Sequence, residues 1–508
     1  MERLDADFVI LGSGFAGSLA AMILKRLDFR PVVVDRATHP RFAIGESSTP
    51  VANFVLRDLV EKYDLTRLAP LAKYGPWQKY YPQIGCGLKR GFSYFEQQPG
   101  RRFEPRPDHA NELLVAASAD DEHSDTQWLR ADVDSFLASE VRRMEIPLLE
   151  QTEIVQLVRD GDGWLVSGRR GDGQSVEIAA KFVIDGTGEG MVVPKALGIP
   201  ARTDLLHTNS RALFSHFRGV GAWRDWLRDA GGAIDEHPFG CDDAAQHMIL
   251  DGAWMWVLRF NGGLTSVGIA IDDVRRPLDL TRSPEQEWDE WMKRHPAVAE
   301  LLGKTTIADP PGRLIRTGRL QRRFAQAAGA NWALLPHTAG FIDPLHSSGI
   351  AHSLCGVERL THTIECHWGR DSLAGKLADY ERSVLSEVEL IDRLVSGCYA
   401  AIGNFRLLVA YAMTYFAAAT TYERRRSEHG FEPKLSYLCA NDPDFTQTIA
   451  ALHRDVMELT GWPAERTVST PDIAAFEQRI SQALAPYNHV GLCDWTARNL
   501  YHYTVAPE

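Results

Sequence analysis

The segment Gly12-Ser13-Gly14-Phe15-Ala16-Gly17 narrows the possible folds more than any other. This GxGxxG turn follows a short apolar run (ADFVIL, 6–11) and precedes a segment of helical periodicity (SLAAMILKRL, 18–27). Glycines permit a tight turn, close approach of backbone to a pyrophosphate, and close helix–strand packing; the helix N-terminus attracts the phosphate charge. A second apolar strand, PVVVD (31–35), ends on Asp35, 18 residues beyond Gly17, where a carboxylate can accept hydrogen bonds from a ribose. A plain glycine-rich turn has the same composition. The strand–turn–helix context and the acid favour a dinucleotide-binding βαβ unit, with residues 12–17 and Asp35 as cofactor contacts.

At 508 residues the chain exceeds one simple core, so two or three packed regions are expected. Its net charge of -12 and lack of a long basic run exclude a phosphate-backbone partner and argue against nucleic acid. The one short cluster, Arg424-Arg425-Arg426 after Glu423, reads as a helix-end cap. Seven cysteines, an odd number with no CxxC pair, argue against a disulfide framework or a metal site. The acidic start is not a signal peptide, and Leu407 to Tyr422 is too short for a membrane span. That stretch reads as a buried helix, and the expected setting is a reducing cytoplasm with no membrane partner.

Residues 151–188 read as a β-meander ending in KFVIDGTG, and strands at 211–217 and 254–271 predict a second, mostly antiparallel sheet over about 200–275. Residues 331–360 repeat the strand, small-residue loop and helix pattern, and the chain beyond about 370 is mainly helical. The expected fold class is α/β: a Rossmann-like, discontinuous nucleotide-binding part, the second sheet, and a C-terminal helical region. The expected division is 1–365 and 366–508. NAD would satisfy the first motif equally. Asp185-Gly186 after a strand, and the Gly340 to Gly349 loop, resemble the second and third contacts of the flavin monooxygenase-like superfamily, which implies FAD. Arg130 in WLRADVDSFL resembles the arginine that superfamily places near the flavin, and reads equally well as a surface arginine at a helix start.

Four segments together resemble the flavin-dependent halogenases: Gly45-Glu46-Ser47-Ser48-Thr49-Pro50; Lys89 in CGLKRGFSYF; Trp254-Met255-Trp256; and Phe341-Ile342-Asp343-Pro344-Leu345-His346-Ser347-Ser348-Gly349, which fits FxxPxxSxG. Their order matches over roughly residues 5 to 360. The resemblance implies that Gly45, Glu46 and Ser47 strap the flavin, that Gly340 and Pro344 contact it, and that the amides of Ser348 and Gly349 bind halide. It implies FAD, used as FADH2, O2, and chloride or bromide converted to hypohalous acid. Lys89 is then the catalytic residue that hydrogen-bonds hypohalous acid or forms a haloamine. A lone lysine is more often exposed. Trp254 and Trp256 project from one strand face; the family places them near the substrate tunnel, although such a pair is commonly core.

Two positions depart from the pattern. WxWxIP is expected, and Leu258-Arg259 stands in place of Ile-Pro, which puts a charge where proline is usual. His346 stands where the tryptophan-halogenating branch has Glu; it reads as an acid–base group or as a hydrogen-bonded pocket residue. The CGLKRGFSYF and LLPHTAGFIDPL segments look more like the phenol-halogenating branch, which implies a small electron-rich aromatic substrate. No second dinucleotide fingerprint occurs, so a separate NAD(P)H-dependent flavin reductase is the expected partner. The alternatives are a flavin hydroxylase on the same scaffold, favoured by Leu258-Arg259, and a flavin-binding protein without turnover.

Overall fold

The computed structural model describes residues 2–464 and 466–502. Glu2–Leu11 lies between Ser175–Asp185 and Pro31–Val34, parallel to both, and Ser175–Asp185 pairs in parallel with Trp332–Leu334. Strands covered on both faces need unbroken apolar runs. Phe8 to Leu11, Val32 to Val34 and Phe182 to Ile184 supply them, all buried. The meander is present as Thr152–Asp160, Gly163–Arg170 and Ser175–Asp185. The fold is therefore α/β with a Rossmann-like unit at the N-terminus.

The second sheet has nine strands and is mostly antiparallel, with a hairpin of Ala253–Arg259 and Leu264–Asp272 closed at Asn261 to Gly263. It reaches beyond 200–275. Gly91–Glu96 joins through a parallel pairing with Ala245–Leu250 and brings Glu112–Ala116 with it. Leu500–Tyr501 adds to the far edge. The last region is helical as expected, in Leu373–Ala401, Phe405–His429, Pro443–Thr460 and Thr470–Leu484. It does not stand apart at 366, because the chain returns a strand to the second sheet; the expected end, 503–508, lies outside the described residues.

Residues 407–423 are buried throughout inside the 405–429 helix. The arginine cluster at its end does not act as a simple cap. Arg424 pairs with Glu428 at the surface, whereas Arg426 is buried between Asp58 and Glu358. A fully buried guanidinium needs such acids, and here they tie this helix to Pro50–Lys62 and Ser348–His367. Among the described residues no helix is long and apolar enough to cross a membrane.

Candidate active site

At the GxGxxG turn, Ser13 donates to Asp35 Oδ2 through its amide (2.8 Å) and its hydroxyl (2.7 Å), and Ala37 N donates to Oδ1 (2.9 Å). Burial alone would raise the Asp35 pKa; the amides of Ala37 and Ser13 and the nearby Arg41 bring it below the usual carboxylate range. A β-carbon on Gly12 would lie 2.7 Å from the Gly186 carbonyl oxygen, and one on Gly17 would collide with the Gly12 carbonyl. These two glycines serve close packing. Gly14 and Ala16 are half-buried, while Phe15 is buried at the start of the helix. A β-carbon on Gly14 would lie 3.6 Å from an Arg130 guanidinium nitrogen and 3.7 Å from one of Arg41. Two cations therefore flank a helix N-terminus, a setting that attracts phosphate.

Arg130 is buried, not a surface residue. It makes a two-pronged pair with Asp134 (2.9 and 2.8 Å), and its third nitrogen donates to the carbonyls of Ile44 and Gly45, both at 3.2 Å. It thus clamps the 45–50 loop against the turn. That loop is also bound to the Asp125–Trp128 strand: Trp128 N donates to Glu46 O, Ser48 N to Thr126 O (3.1 Å), and Ser47 bridges Gln127. Glu46 Oε1 lies 2.9 Å from His216 Nε2. Glu46 Oε2, Ser47 Oγ and Thr49 Oγ1 are buried without a partner. Buried polar atoms are normally satisfied, so this donor and acceptor set, beside the two guanidiniums, fits a large phosphate-bearing cofactor.

Two expected contacts are corrected. The Asp185 carboxylate accepts from Thr187 N (2.9 Å), Thr187 Oγ1 (2.6 Å) and Val193 N (2.7 Å), so it closes the following turn and is not free for a ligand. Gly340 has extended backbone, and a β-carbon there would strike Val388 at 2.6 Å; it makes room for the 373–401 helix. Sequence reasoning missed Arg322. It is buried, donates to the His337 carbonyl and leaves its Nε without a partner, and burial lowers its pKa to about 10. No carboxylate lies within ion-pair distance of it among the described residues, which leaves it available to an anion.

In the FxxPxxSxG segment, Asp343 anchors the loop. Its carboxylate accepts from Ser210 Oγ (2.5 Å), Tyr399 OH (2.9 Å) and Leu345 N (3.1 Å), and burial raises its pKa to about 6. Ser347 takes the left-handed conformation (φ 53°) and starts the 20-residue helix Ser348–His367. The first amides of a helix have no intrahelical acceptor; here they belong to Ser348 and Gly349. Phe341, Pro344 and Gly349 are the half-buried residues of the motif, and a β-carbon on Gly349 would meet nothing within 4 Å.

Lys89 ends the Cys86–Lys89 strand, which pairs with Asp125–Trp128 so that Lys89 faces Asp125. The lysine is fully buried. Its Nζ donates to the Ser48 carbonyl of the strap and lies 4.2 Å from the Phe92 ring centroid. Burial lowers its pKa to about 7, against the opposing pull of Asp125. Phe92, Pro50, Tyr415, Phe416 and Glu423 help to line a small cavity of about 20 Å³. A second cavity, of about 10 Å³, is lined by Tyr94, Leu345, His346 and Cys398 and again by the 405–429 helix. The His346 ring stacks on Tyr415, centroids 4.2 Å apart. Burial pushes its pKa down to about 3, and the ring forms part of the wall of the second cavity.

Trp254 and Trp256 lie in the core behind His247 and line neither cavity. Trp254 donates to Tyr399 OH (3.1 Å) and Trp256 to Ser266 Oγ (3.2 Å). Leu258 is also core. The Arg259 guanidinium turns away from both cavities to Asp242 (2.8 Å) and the Gly221 carbonyl. The departure from WxWxIP therefore adds no charge to the site.

No protein-family model matches the chain. It is 26% identical to the monodechloroaminopyrrolnitrin halogenase PrnC of Pseudomonas fluorescens over 467 residues, 87% of this chain and 79% of that protein. It is 28% identical to the tetracycline 7-halogenase of Kitasatospora aureofaciens over 411 residues, 79% and 71% of the two. The solved halogenase PltM, in complex with phloroglucinol and FAD, shares the fold with a TM-score of 0.85 at 23% identity, over 99% of this chain and 100% of that one. The motifs lie in the same architecture and the relatives span most of the chain: over most of its length the chain is similar to flavin-dependent halogenases.

Proposed function

We propose that this chain uses FADH2 and O2 to install chloride or bromide on a small, electron-rich phenolic aromatic, with Lys89 receiving hypohalous acid. One observation carries the reading: a fully buried lysine tied to the strap loop and set against the Phe92 wall of a cavity. When bound and reduced, FAD supplies with O2 the oxidising equivalent that converts halide to hypohalous acid. Residues 12–17, Asp35, Gly45, Glu46, Ser47, Arg41, Arg130, Arg322 and Pro344 hold the cofactor, and the Ser348 and Gly349 amides hold halide at the positive end of their helix.

Lys89 acts through its free amine. A pKa of about 7 leaves a large neutral fraction near pH 7. The lone pair of the neutral amine takes the halogen from hypohalous acid and releases water. The N–halogen bond then breaks as the ring carbon takes the halogen and loses its proton, and the amine is restored. The phenolic substrate is supported by the phloroglucinol bound to PltM. A separate reductase is proposed because the chain carries one dinucleotide fingerprint. Arg259, turned to Asp242, removes the feature that favoured a hydroxylase.

The test is turnover of simple phenols with FAD, a flavin reductase, NADH, O2 and bromide or chloride, read by mass spectrometry beside Lys89→Ala. The expected result is a halogen isotope pattern that the mutant lacks. An oxygenated product without halogen would overturn the reading.

A further inference from the structure

The residues of the 405–429 helix that face the two cavities form one stripe at three- and four-residue spacing, and the stripe ends in Glu423. Its other members are apolar or aromatic, apart from Thr420, whose hydroxyl is spent on the Phe416 carbonyl (2.8 Å). Glu423 is different. It is 3% exposed and lines the cavity beside Lys89. Among the described residues no group donates a hydrogen bond to its carboxyl. Burial raises its pKa well above the usual carboxylate value, and the charge of Asp125 adds to this against the pull of Lys73. A buried carboxyl without a partner destabilises a fold, so packing gives no reason for it. The same cavity is lined by Phe92, whose ring centroid lies 4.2 Å from the Lys89 amine.

We propose that Glu423 is the substrate-anchoring residue, accepting a hydrogen bond from a hydroxyl or ring N–H of the aromatic and thereby fixing which ring carbon meets Lys89. The inference rests on the reading of the chain as an aromatic halogenase. The substrate class is narrowed to rings that carry a donor beside the reacting carbon; rings whose oxygen is methylated are disfavoured.

The test compares wild type, Glu423→Leu and Glu423→Gln on phenols and their methyl ethers, with KM, kcat and product regiochemistry read by liquid chromatography and mass spectrometry. For Glu423→Leu the expected result is a KM for phenols raised about tenfold, a smaller change in kcat, and mixed regiochemistry. Glu423→Gln keeps an acceptor and should restore KM to within about threefold. Wild type should prefer each phenol to its methyl ether by about tenfold in KM, a comparison that stands even where Glu423→Leu fails to fold. Wild-type KM and regiochemistry in Glu423→Leu, equal losses in both variants, or equal KM for phenol and ether would each overturn the anchor while Lys89-dependent halogenation stands. If wild type halogenates no phenol, aniline or azole, the aromatic-halogenase reading fails and the anchor falls with it.

Discussion

At residues 12–17 and 347–349 the site is made of main chain: amides at two helix starts, placed by glycines and by Ser347 in the left-handed region. Beyond Lys89 it is made of side chains, most of them from one stripe of the 405–429 helix. Main chain fixes position and charge but accepts few substitutions, because a β-carbon at Gly12 or Gly17 has nowhere to go. A side-chain wall can be recut while the fold stays intact. The two halves meet at the ribbon of 86–89 and 125–128, to which the strap loop is hydrogen-bonded. On the proposed assignment, cofactor handling and substrate choice can change independently here.

The comparison breaks hardest at Lys89. Lys89→Met should cut halogenated product by about 10²–10⁴-fold in the mass-spectrometric assay. It should also raise the melting temperature. Burial lowers the amine's pKa from 10.5 to about 7, so between those values the unfolded chain holds a proton that the folded chain resists. Stability therefore falls as pH drops from about 10.5 to 7, and the mutant should lack that slope in thermal melts. On the main-chain side, Gly17→Ala should cost about 1–3 kcal/mol by overpacking, lower the melting temperature, and weaken FAD binding in a fluorescence titration about tenfold.

Ala419→Phe sharpens the contrast by filling the cavity beside Lys89. KM for a phenol should rise several-fold, while FAD affinity in the same titration stays within about twofold. Asp125→Asn removes a charge that favours the Lys89 ammonium. The amine then loses its proton more easily, so the acid limb of the pH–rate profile should move down, by about 1 pH unit. Arg259→Ala should do least: turnover within about twofold and a stability change of at most about 1 kcal/mol, because the guanidinium pairs with Asp242 at 23% side-chain exposure.

The main-chain half was legible in the sequence because its constraints are local. A turn that needs glycine at fixed spacing, or a helix start after FxxPxxSxG, states itself within about ten residues. Lys89 was legible by its segment, yet its burial depends on pairing with residues 125–128 and on the strap. The cavity was not legible. Its walls combine residues 50, 92 and 115 with a helix that starts only at residue 405, and every residue of that helix from 407 to 423 is buried, so no periodicity marks the cavity face. Glu423 looked like the flank of an arginine cluster, and Arg322 like any arginine. Trp254 and Trp256 misled for the opposite reason: large aromatics two apart on a strand fit a core or a tunnel equally, and packing against His247 decides for the core.

Lys89 is held by a carbonyl, not by a side chain. Every residue at position 48 except a shifted one offers that same oxygen, so Ser48→Ala would lose only the hydroxyl's two bonds with the Thr126 main chain and leave the amine where it is. From the strap side, the link to the lysine is therefore invisible to an alanine scan. It is written in the count of residues between Gly45 and Pro50, and only an insertion or deletion there can disconnect one half of the site from the other.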